Sequence, residues 1–83
     1  MRTSEQLRAA RALVRLDQAE LAKRSGVSVP TIKRLEAQDG ELSANKPTLA
    51  AIRGALEESG VQFVEPGVDP LGPGVALKGG NQG

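Results

Sequence analysis

The segment of residues 18–37, with the sequence QAELAKRSGVSVPTIKRLEA, constrains the fold of this chain more than any other segment. Within it, Gly26 ends one helix-forming run and Ser28 precedes the next. Glycine is typical of the position just after a helix, and serine is typical of the residue that caps the start of a helix. The segment therefore predicts two short helices joined by a tight turn, which is a helix-turn-helix.

The side chains of these two helices recur at helical spacing, so each helix has one inward face. In the first helix Leu21 and Ala22 face inward, and the small Ala22 lets the two helices approach where they cross. In the second helix Ile32, Leu35 and Glu36 form the inward stripe. Helices this short are not stable alone in water, so the rest of the chain must pack around them.

Capping residues and apolar spacing predict one further helix before this pair and one after it. Thr3 and Gln6 have the spacing of a capping box at the start of the chain, and Asp17 and Glu20 have the same spacing before the first helix of the pair. A fourth helix is indicated by apolar residues that recur after Pro47. The predicted helices cover residues 4–14, 18–25, 29–38 and 47–59.

The apolar spacing changes after Gly60 from that of a helix to that of a strand. Two short runs alternate apolar and polar residues, and a connection rich in Pro and Gly lies between them. They predict a β-hairpin over residues 61–78, followed by a flexible tail over residues 79–83. Because an isolated hairpin is only marginally stable, it must lie on the helices, pair with another copy of the chain, or stay partly disordered.

The composition excludes several functional classes. The 83 residues include no Cys and no His, so we expect no disulfide, no metal site and no cofactor. The acidic residues Asp17, Glu20 and Glu36 are better explained as caps and an ion-pair partner than as catalytic carboxylates, so we expect no enzyme. No apolar run approaches the roughly 18 residues of a membrane span. We expect a cytoplasmic protein without a membrane partner.

The charge is small overall but uneven along the chain. The formal net charge is +1, whereas the window of residues 22–35 contains Lys23, Arg24, Lys33 and Arg34 and no acidic residue. A basic surface on a nearly neutral domain is typical of proteins that bind in a nucleic-acid groove. Most charge clusters on small helical proteins are nevertheless solvated surface, so the cluster alone leaves both interpretations open.

Taken together, these positions resemble the helix-turn-helix of the Cro and phage-repressor-like (XRE-type) family. Gln18 opens the first helix of the motif, Ala22 and Gly26 occupy its two constrained positions, and Glu36 closes it. The core anchors of the motif correspond to Val27, Ile32 and Leu35. The resemblance implies a mostly α fold, with a four-helix Cro/repressor-like helix-turn-helix domain over residues 1–60 and a C-terminal β-hairpin.

The resemblance also implies double-stranded DNA as a partner. Phosphates would be held by Gln18 at the start of the second helix and by Lys46 ahead of the fourth. Base edges in the major groove would be contacted from the start and outer face of the third helix. These base-contacting candidates are Ser28, Val29, Pro30, Thr31, Lys33 and Arg34. Two of the leading positions are apolar, so fewer hydrogen-bonding groups are available there than in much of the family.

Arg11 is the one charged residue on the inward stripe of the first helix. A charge there requires a partner, and Glu36 on the inward stripe of the third helix is the natural candidate. In the resembling family an arginine and a glutamate at these positions pair across the domain. The alternative is that both side chains extend to water.

The residues after Gly60 are expected to form a homodimer interface. Two copies related by a two-fold axis would place two recognition helices about one DNA turn apart. The apolar residues that would be buried between the copies are Val61, Phe63, Val64, Val75 and Leu77. The alternative is a monomer in which the hairpin only covers the end of the fourth helix.

Two functions therefore remain open at the level of the sequence. The first is a sequence-specific transcriptional regulator that binds a two-half-site operator as a dimer. The second is a protein-binding module, such as an antiactivator or an antitoxin-like partner of another regulatory protein. That module would use the apolar face of the third helix or the hairpin, because a fold does not by itself determine a function.

Overall fold

The computed structural model describes residues 1–64 and 74–78 of the chain. Four helices precede two strands, in the order α1 (Ser4–Leu13), α2 (Gln18–Ser25), α3 (Val29–Glu36), α4 (Lys46–Glu58), β1 (Val61–Val64) and β2 (Gly74–Leu77). The prediction of a mostly α chain with a C-terminal hairpin is confirmed. The predicted connection between the strands and the predicted tail over residues 79–83 lie outside the described residues.

A side-chain cap begins each of the four helices. The capping box predicted at α1 is present, because Thr3 accepts a hydrogen bond from the backbone of Gln6 while the Gln6 side chain accepts one from Thr3. Ser28 caps α3 and Asn45 caps α4 by accepting from the backbone N–H of the third residue after each. These caps satisfy N–H groups that no carbonyl within the helix can reach.

The capping box predicted at the start of α2 is only half present. Asp17 Oδ1 accepts from the backbone N–H of Glu20 at 2.7 Å. The Glu20 carboxylate, however, accepts from Arg24 Nε at 2.9 Å, one helical turn further along. The i, i+4 spacing favours that ion pair, so the reciprocal half of the box is replaced.

The turn between α2 and α3 depends on Gly26. Its φ angle of 77° lies in the left-handed region, and its N–H donates to Ala22 O at 2.9 Å. A residue with a side chain would be strained in that conformation, although no neighbouring atom would obstruct it. Ser28 then caps α3 two residues later, so the two helices meet at a fixed angle.

One apolar core joins all four helices. Each helix contributes fully buried side chains, which are Leu7, Leu21, Ile32, Leu35, Ile52 and Leu56. The short helices α2 and α3 pack against each other, α2 also packs against α4, and α1 packs against α3. None of the helices in the described part of the chain is long and apolar enough to cross a membrane.

The two strands form an antiparallel hairpin that lies on the helices. Val61 pairs with Leu77 and Phe63 pairs with Val75 across the hairpin. The hairpin contacts α1 and α4, and Val61 and Phe63 are buried in the common core. The backbone N–H of Lys78, just after β2, also donates to the carbonyl of Gly60, which lies between α4 and β1. The inner face of the hairpin is therefore covered by helices of the same chain.

The connection between α3 and α4 is tied to the start of the chain. Ser4 N donates to Gly40 O at 2.8 Å, and Leu42 N donates to Arg2 O at 2.8 Å. The Arg2 guanidinium also pairs with the Glu41 carboxylate at 2.9 Å. The sequence did not indicate these contacts, since nothing local marks residues that are separated by almost forty positions as partners.

Candidate nucleic-acid interface

Helix α3 has a buried face and an exposed face. Ile32 and Leu35 are fully buried and Glu36 is nearly so. On the opposite side, Lys33 and Arg34 are exposed, together with Pro30 in the first turn. The helix therefore presents two cations to solvent while its other face is fixed in the core.

The first turn of α3 is less open than its middle. Ser28 Oγ accepts from Thr31 N at 3.3 Å and donates to Thr31 Oγ1 at 3.0 Å. Val29 and Thr31 are half-buried. Ser28 is exposed but its hydroxyl is engaged in capping, so the other exposed members of the predicted base-contacting set are Pro30, Lys33 and Arg34.

Behind this helix, Arg11 and Glu36 form an ion pair between α1 and α3. Arg11 Nε lies 2.6 Å from Glu36 Oε2, and Nη2 donates to Glu36 Oε1 at 3.0 Å. The remaining Nη1 donates to the Leu16 carbonyl at 2.9 Å. The Glu36 side chain is 8% exposed and that of Arg11 is 23% exposed, so the charges meet in a mostly buried site. The two side chains do not both extend to water.

The environment keeps both members of this pair charged. Burial alone would raise the pKa of Glu36, but hydrogen bonds from Arg11 and Gln18 and the positive charges of Arg11 and Arg8 outweigh it and lower the pKa. The hydrogen bond to Glu36 raises the pKa of Arg11 despite the opposing effect of burial. The ionised form of Glu36 is therefore part of the folded state.

Gln18 also takes part in this network, which the sequence did not indicate. It is the first residue of α2, and its Nε2 donates to Glu36 Oε1 at 2.9 Å. One side chain of α3 is thus held from α1 and from α2 at once. Gln18 remains half-buried at the start of α2, where a phosphate contact was predicted, but one of its two amide hydrogens is engaged within the protein.

Arg8 is a second residue that sequence analysis missed. Its guanidinium donates to the backbone carbonyl of Glu36, near the end of α3. The last carbonyl groups of a helix lack partners within the helix, so a cation at this position satisfies one of them. The cation also interacts favourably with the negative end of the helix dipole. Arg8 lies on α1, far from α3 in the sequence, so no local pattern connects the two.

The basic window of residues 22–35 divides into two parts in space. Arg24 pairs with Glu20 and also donates to Ser59 Oγ at 3.1 Å, which directs it toward the end of α4. By contrast, four cations on the helix-turn-helix and at the start of α4 form no salt bridge with any carboxylate of residues 1–64 and 74–78. They are Lys23, Lys33, Arg34 and Lys46.

The residues predicted to form a dimer interface differ widely in exposure. Val61 is 0% exposed and Phe63 is 8% exposed, because the helices of the same chain cover them. Val64 and Val75 are half-buried. Leu77 is 53% exposed. An interface that leaves this fold intact would therefore use Leu77 and the outer parts of the hairpin rather than Val61 and Phe63.

Comparison with known proteins supports the helix-turn-helix interpretation. A family model described as helix-turn-helix matches residues 7–59, which run from within α1 to just beyond the end of α4. The matched region contains α2, α3 and the turn at Gly26, and it stops before the hairpin. A search of curated proteins gives no match.

Proposed function

Because the chain belongs to the Cro/C1-type XRE helix-turn-helix family of DNA-binding proteins, we propose that it is a transcriptional regulator that binds a specific operator. In this proposal α3 enters the major groove of double-stranded DNA, and two copies of the chain bind two half-sites. The family supports DNA binding in general, while the contacts below rest on the exposure and charge of individual side chains.

The single observation that carries the proposal is the arrangement of charges around α3. Lys33 and Arg34 are exposed, and no carboxylate among the described residues pairs with either. The nearest acidic residue of the helix, Glu36, is buried and neutralised by Arg11. The outer face of α3 is therefore positive, as a surface that approaches phosphates and base acceptors should be.

Arg34 is the residue that we assign to direct base contact. A guanidinium can donate two parallel hydrogen bonds to the N7 and O6 acceptors of guanine, which distinguishes that base from the others. Lys33 lies on the same exposed face and can donate to a base or to a phosphate. Pro30 is exposed and apolar, so it suits contact with a thymine methyl group.

Phosphate contacts would position the helix along the groove. Lys46 is the first residue of α4 and is exposed, so its ammonium group can reach a phosphate while the N-terminus of α4 adds a favourable dipole. Gln18 begins α2, and its second amide hydrogen remains for a phosphate. The hydrogen bond from Gln18 to Glu36 would then fix the orientation of the Gln18 side chain that contacts the DNA backbone.

A gel-shift experiment with the DNA upstream of the coding region tests the proposal. Arg34→Ala should weaken the preferred site by about 1–3 kcal/mol and relax the preference at one base position. Arg53→Ala is the matched control, because Arg53 is an exposed arginine on α4 that pairs with Glu57. It should leave the base preference unchanged. An Arg34→Ala protein with unaltered affinity and preference would show that α3 does not contact the bases.

The dimeric part of the proposal rests on Leu77. It is the most exposed large apolar side chain of the described residues, at 53%, and it lies in a hairpin that has only two strands. Such a sheet has open edges, and pairing with a second copy would satisfy the edge backbone groups and cover Leu77 together. A two-fold axis through this contact would also match an operator with two half-sites.

Sedimentation measurements on two matched variants test the dimer. Leu77→Gln should shift the equilibrium toward monomer, since it places a polar group in the proposed contact. Leu13→Gln makes the same change at the other exposed large apolar side chain of the described residues, which is 39% exposed on α1, and should leave the dimer intact. If Leu77→Gln dimerises as the wild type does, the hairpin is not the contact.

Binding of another regulatory protein is the second candidate function, and the exposure of Leu77 is what favours it. A protein partner could add a strand to the same hairpin edge, because strand addition uses open backbone groups in the way a second copy would. Helix α3 favours it less, since Lys33 and Arg34 dominate its exposed face. A protein that binds no DNA and stays monomeric would favour this second candidate.

A further inference from the structure

Gln6 is a buried polar side chain at the junction of three segments of the chain. It lies in the first turn of α1, is 2% exposed, and sits beside the hairpin and the N-terminal residues. A buried amide that lacked partners would be destabilising, so the partners of each of its atoms matter.

The nitrogen of this side chain binds the hairpin. Gln6 Nε2 donates to Val64 O at 3.1 Å and to Gly74 O at 3.0 Å. Val64 and Gly74 face each other across the hairpin, at the last position of β1 and the first position of β2. Both amide hydrogens are therefore used, and one nitrogen holds both strands against α1.

The oxygen of the same side chain binds the start of the chain. Gln6 Oε1 accepts from Arg2 N at 2.6 Å and from Thr3 N at 3.1 Å. Residues 2–4 are in turn bonded to residues 40–42, which connect α3 to α4. A continuous set of hydrogen bonds thus runs from the hairpin, through Gln6, to the segment that follows the proposed recognition helix.

Glutamine is the residue type whose chemistry fits all four contacts. It has two N–H donors and a two-lone-pair acceptor at the end of one side chain. Glutamate has the same length but offers no donor when ionised, and lysine and arginine offer no acceptor. Capping of α1 requires only the oxygen, so the two bonds from Nε2 are additional to the capping box.

We propose that Gln6 is the positioning residue that fixes the hairpin relative to α3. It thereby sets where the second copy of the chain sits with respect to the DNA-contacting face. This inference rests on the proposed dimeric binding of a two-half-site operator. Two recognition helices bind such an operator well only when their separation is fixed, since a loose connection lowers the effective concentration of the second helix at its half-site.

Gln6→Glu separates the two halves of this side chain. The variant keeps the length and the acceptor oxygens that cap α1, but it loses both donors and places a carboxylate against two carbonyl groups. Amide hydrogen exchange in the hairpin should accelerate by roughly 10- to 100-fold, the size expected for two lost hydrogen bonds. The amides of α2 and α3 should exchange as in the wild type.

A matched control and a second variant keep this test decisive. Gln62→Glu makes the same chemical change at an exposed position of β1, and it should leave hairpin exchange unaltered. Gln6→Met keeps the side-chain length without introducing a charge, and it loses the capping oxygen as well as the two donors. It therefore still reports on the lost hydrogen bonds to the hairpin if Gln6→Glu unfolds the protein. Hairpin exchange should accelerate in Gln6→Met as well.

The DNA readout distinguishes positioning from simple stabilisation. With either variant at Gln6, affinity for a two-half-site operator should fall by about tenfold while affinity for a single half-site stays constant. Hairpin exchange that changes no more than exchange in α2 and α3, or an unchanged ratio of the two affinities, overturns the inference. If the wild type binds no DNA, the proposed function fails, and the comparison of hairpin exchange with exchange in α2 and α3 still decides whether Gln6 fixes the hairpin.

Discussion

The helix-turn-helix and the hairpin are both held on the same core, but they are held in different ways. Helix α3 is fixed from two directions, because its Glu36 side chain receives hydrogen bonds from α1 and from α2. The hairpin depends on two buried apolar side chains, Val61 and Phe63, and on one buried glutamine. The helix proposed to contact bases is thus rigidly placed, whereas the element proposed to join two copies depends on few anchors.

Arg11→Ala is the substitution that we expect to destabilise the helix-turn-helix most. It would leave the Glu36 carboxylate buried without its main partner, and removing one member of such a pair typically costs about 3–5 kcal/mol of the free energy of unfolding. Because the Arg11 side chain is 23% exposed, water can enter its place, and we expect the lower end of that range. Denaturant unfolding followed by circular dichroism measures the loss.

The control for this prediction removes both charges together. Arg11→Met combined with Glu36→Leu replaces the pair by apolar groups of similar volume and leaves no uncompensated charge. The double variant should therefore be clearly more stable than Arg11→Ala. Equal and small losses in the two proteins would mean that the pair contributes little to the fold.

Phe63→Ala should detach the hairpin and should lower the free energy of unfolding of the whole domain less than Arg11→Ala does. Phe63 is 8% exposed, and Phe→Ala substitutions in cores cost about 3–5 kcal/mol. At the edge of this fold we expect less, about 2–3 kcal/mol, because the hairpin can detach while the helices stay folded. Hydrogen exchange should show loss of protection in the hairpin first. Loss of protection in α2 and α3 to the same degree would contradict this picture.

The helices could be predicted from the sequence because their signals are local. Thr3, Gly26 and Ser28 mark helix ends through backbone groups only a few residues away, and apolar spacing gives the inward faces. The bounds still differ at some ends, since α3 was expected over 29–38 and ends at Glu36. There Gln38 accepts a hydrogen bond from Ser43 N at 2.7 Å, which turns its side chain toward the following loop.

The contacts between distant segments could not be predicted from the sequence in the same way. Gln6 was recognised as a cap, but its bonds to Val64 and Gly74 join residues that no periodicity relates. Gln18 was assigned to phosphate alone, and its bond to Glu36 went unseen. The apolar pattern of the hairpin indicated a surface to be buried without saying whether the same chain or a second copy covers it.

Low pH should destabilise the helix-turn-helix by protonating Glu36. Its pKa is lowered in the folded protein from an ordinary value of 4.5, so its ionised form contributes stability above about pH 4.5. That contribution is lost as the pH falls through the lower folded pKa. The effect should be smaller than that of Arg11→Ala, since protonation leaves every atom in place. Unfolding free energies measured from about pH 7 to about pH 3 would check it.

The reference protein is again the double variant Arg11→Met/Glu36→Leu, which lacks this carboxyl group. Its stability should decline less steeply below pH 4.5 than that of the wild type. The pKa of Glu5 is also lowered, chiefly by a hydrogen bond from its own backbone, but Glu5 is present in both proteins. Parallel curves for the two proteins would show that Glu36 is not the group responsible.

The smallest expected effect compares one lysine from each region. Lys46 at the start of α4 and Lys78 after β2 are both exposed, and neither pairs with a carboxylate among the described residues. Lys46→Ala should weaken binding to all DNA sequences alike, by about 1 kcal/mol or less, because a phosphate contact carries no base information. The slope of the logarithm of affinity against that of salt concentration should fall by about 1. Lys78→Ala removes the same charge from the hairpin and should leave the slope unchanged. Equal changes of slope in the two variants would mean that only the total charge of the protein matters. The face formed by α3 and the start of α4 would then not be the face that lies on the DNA.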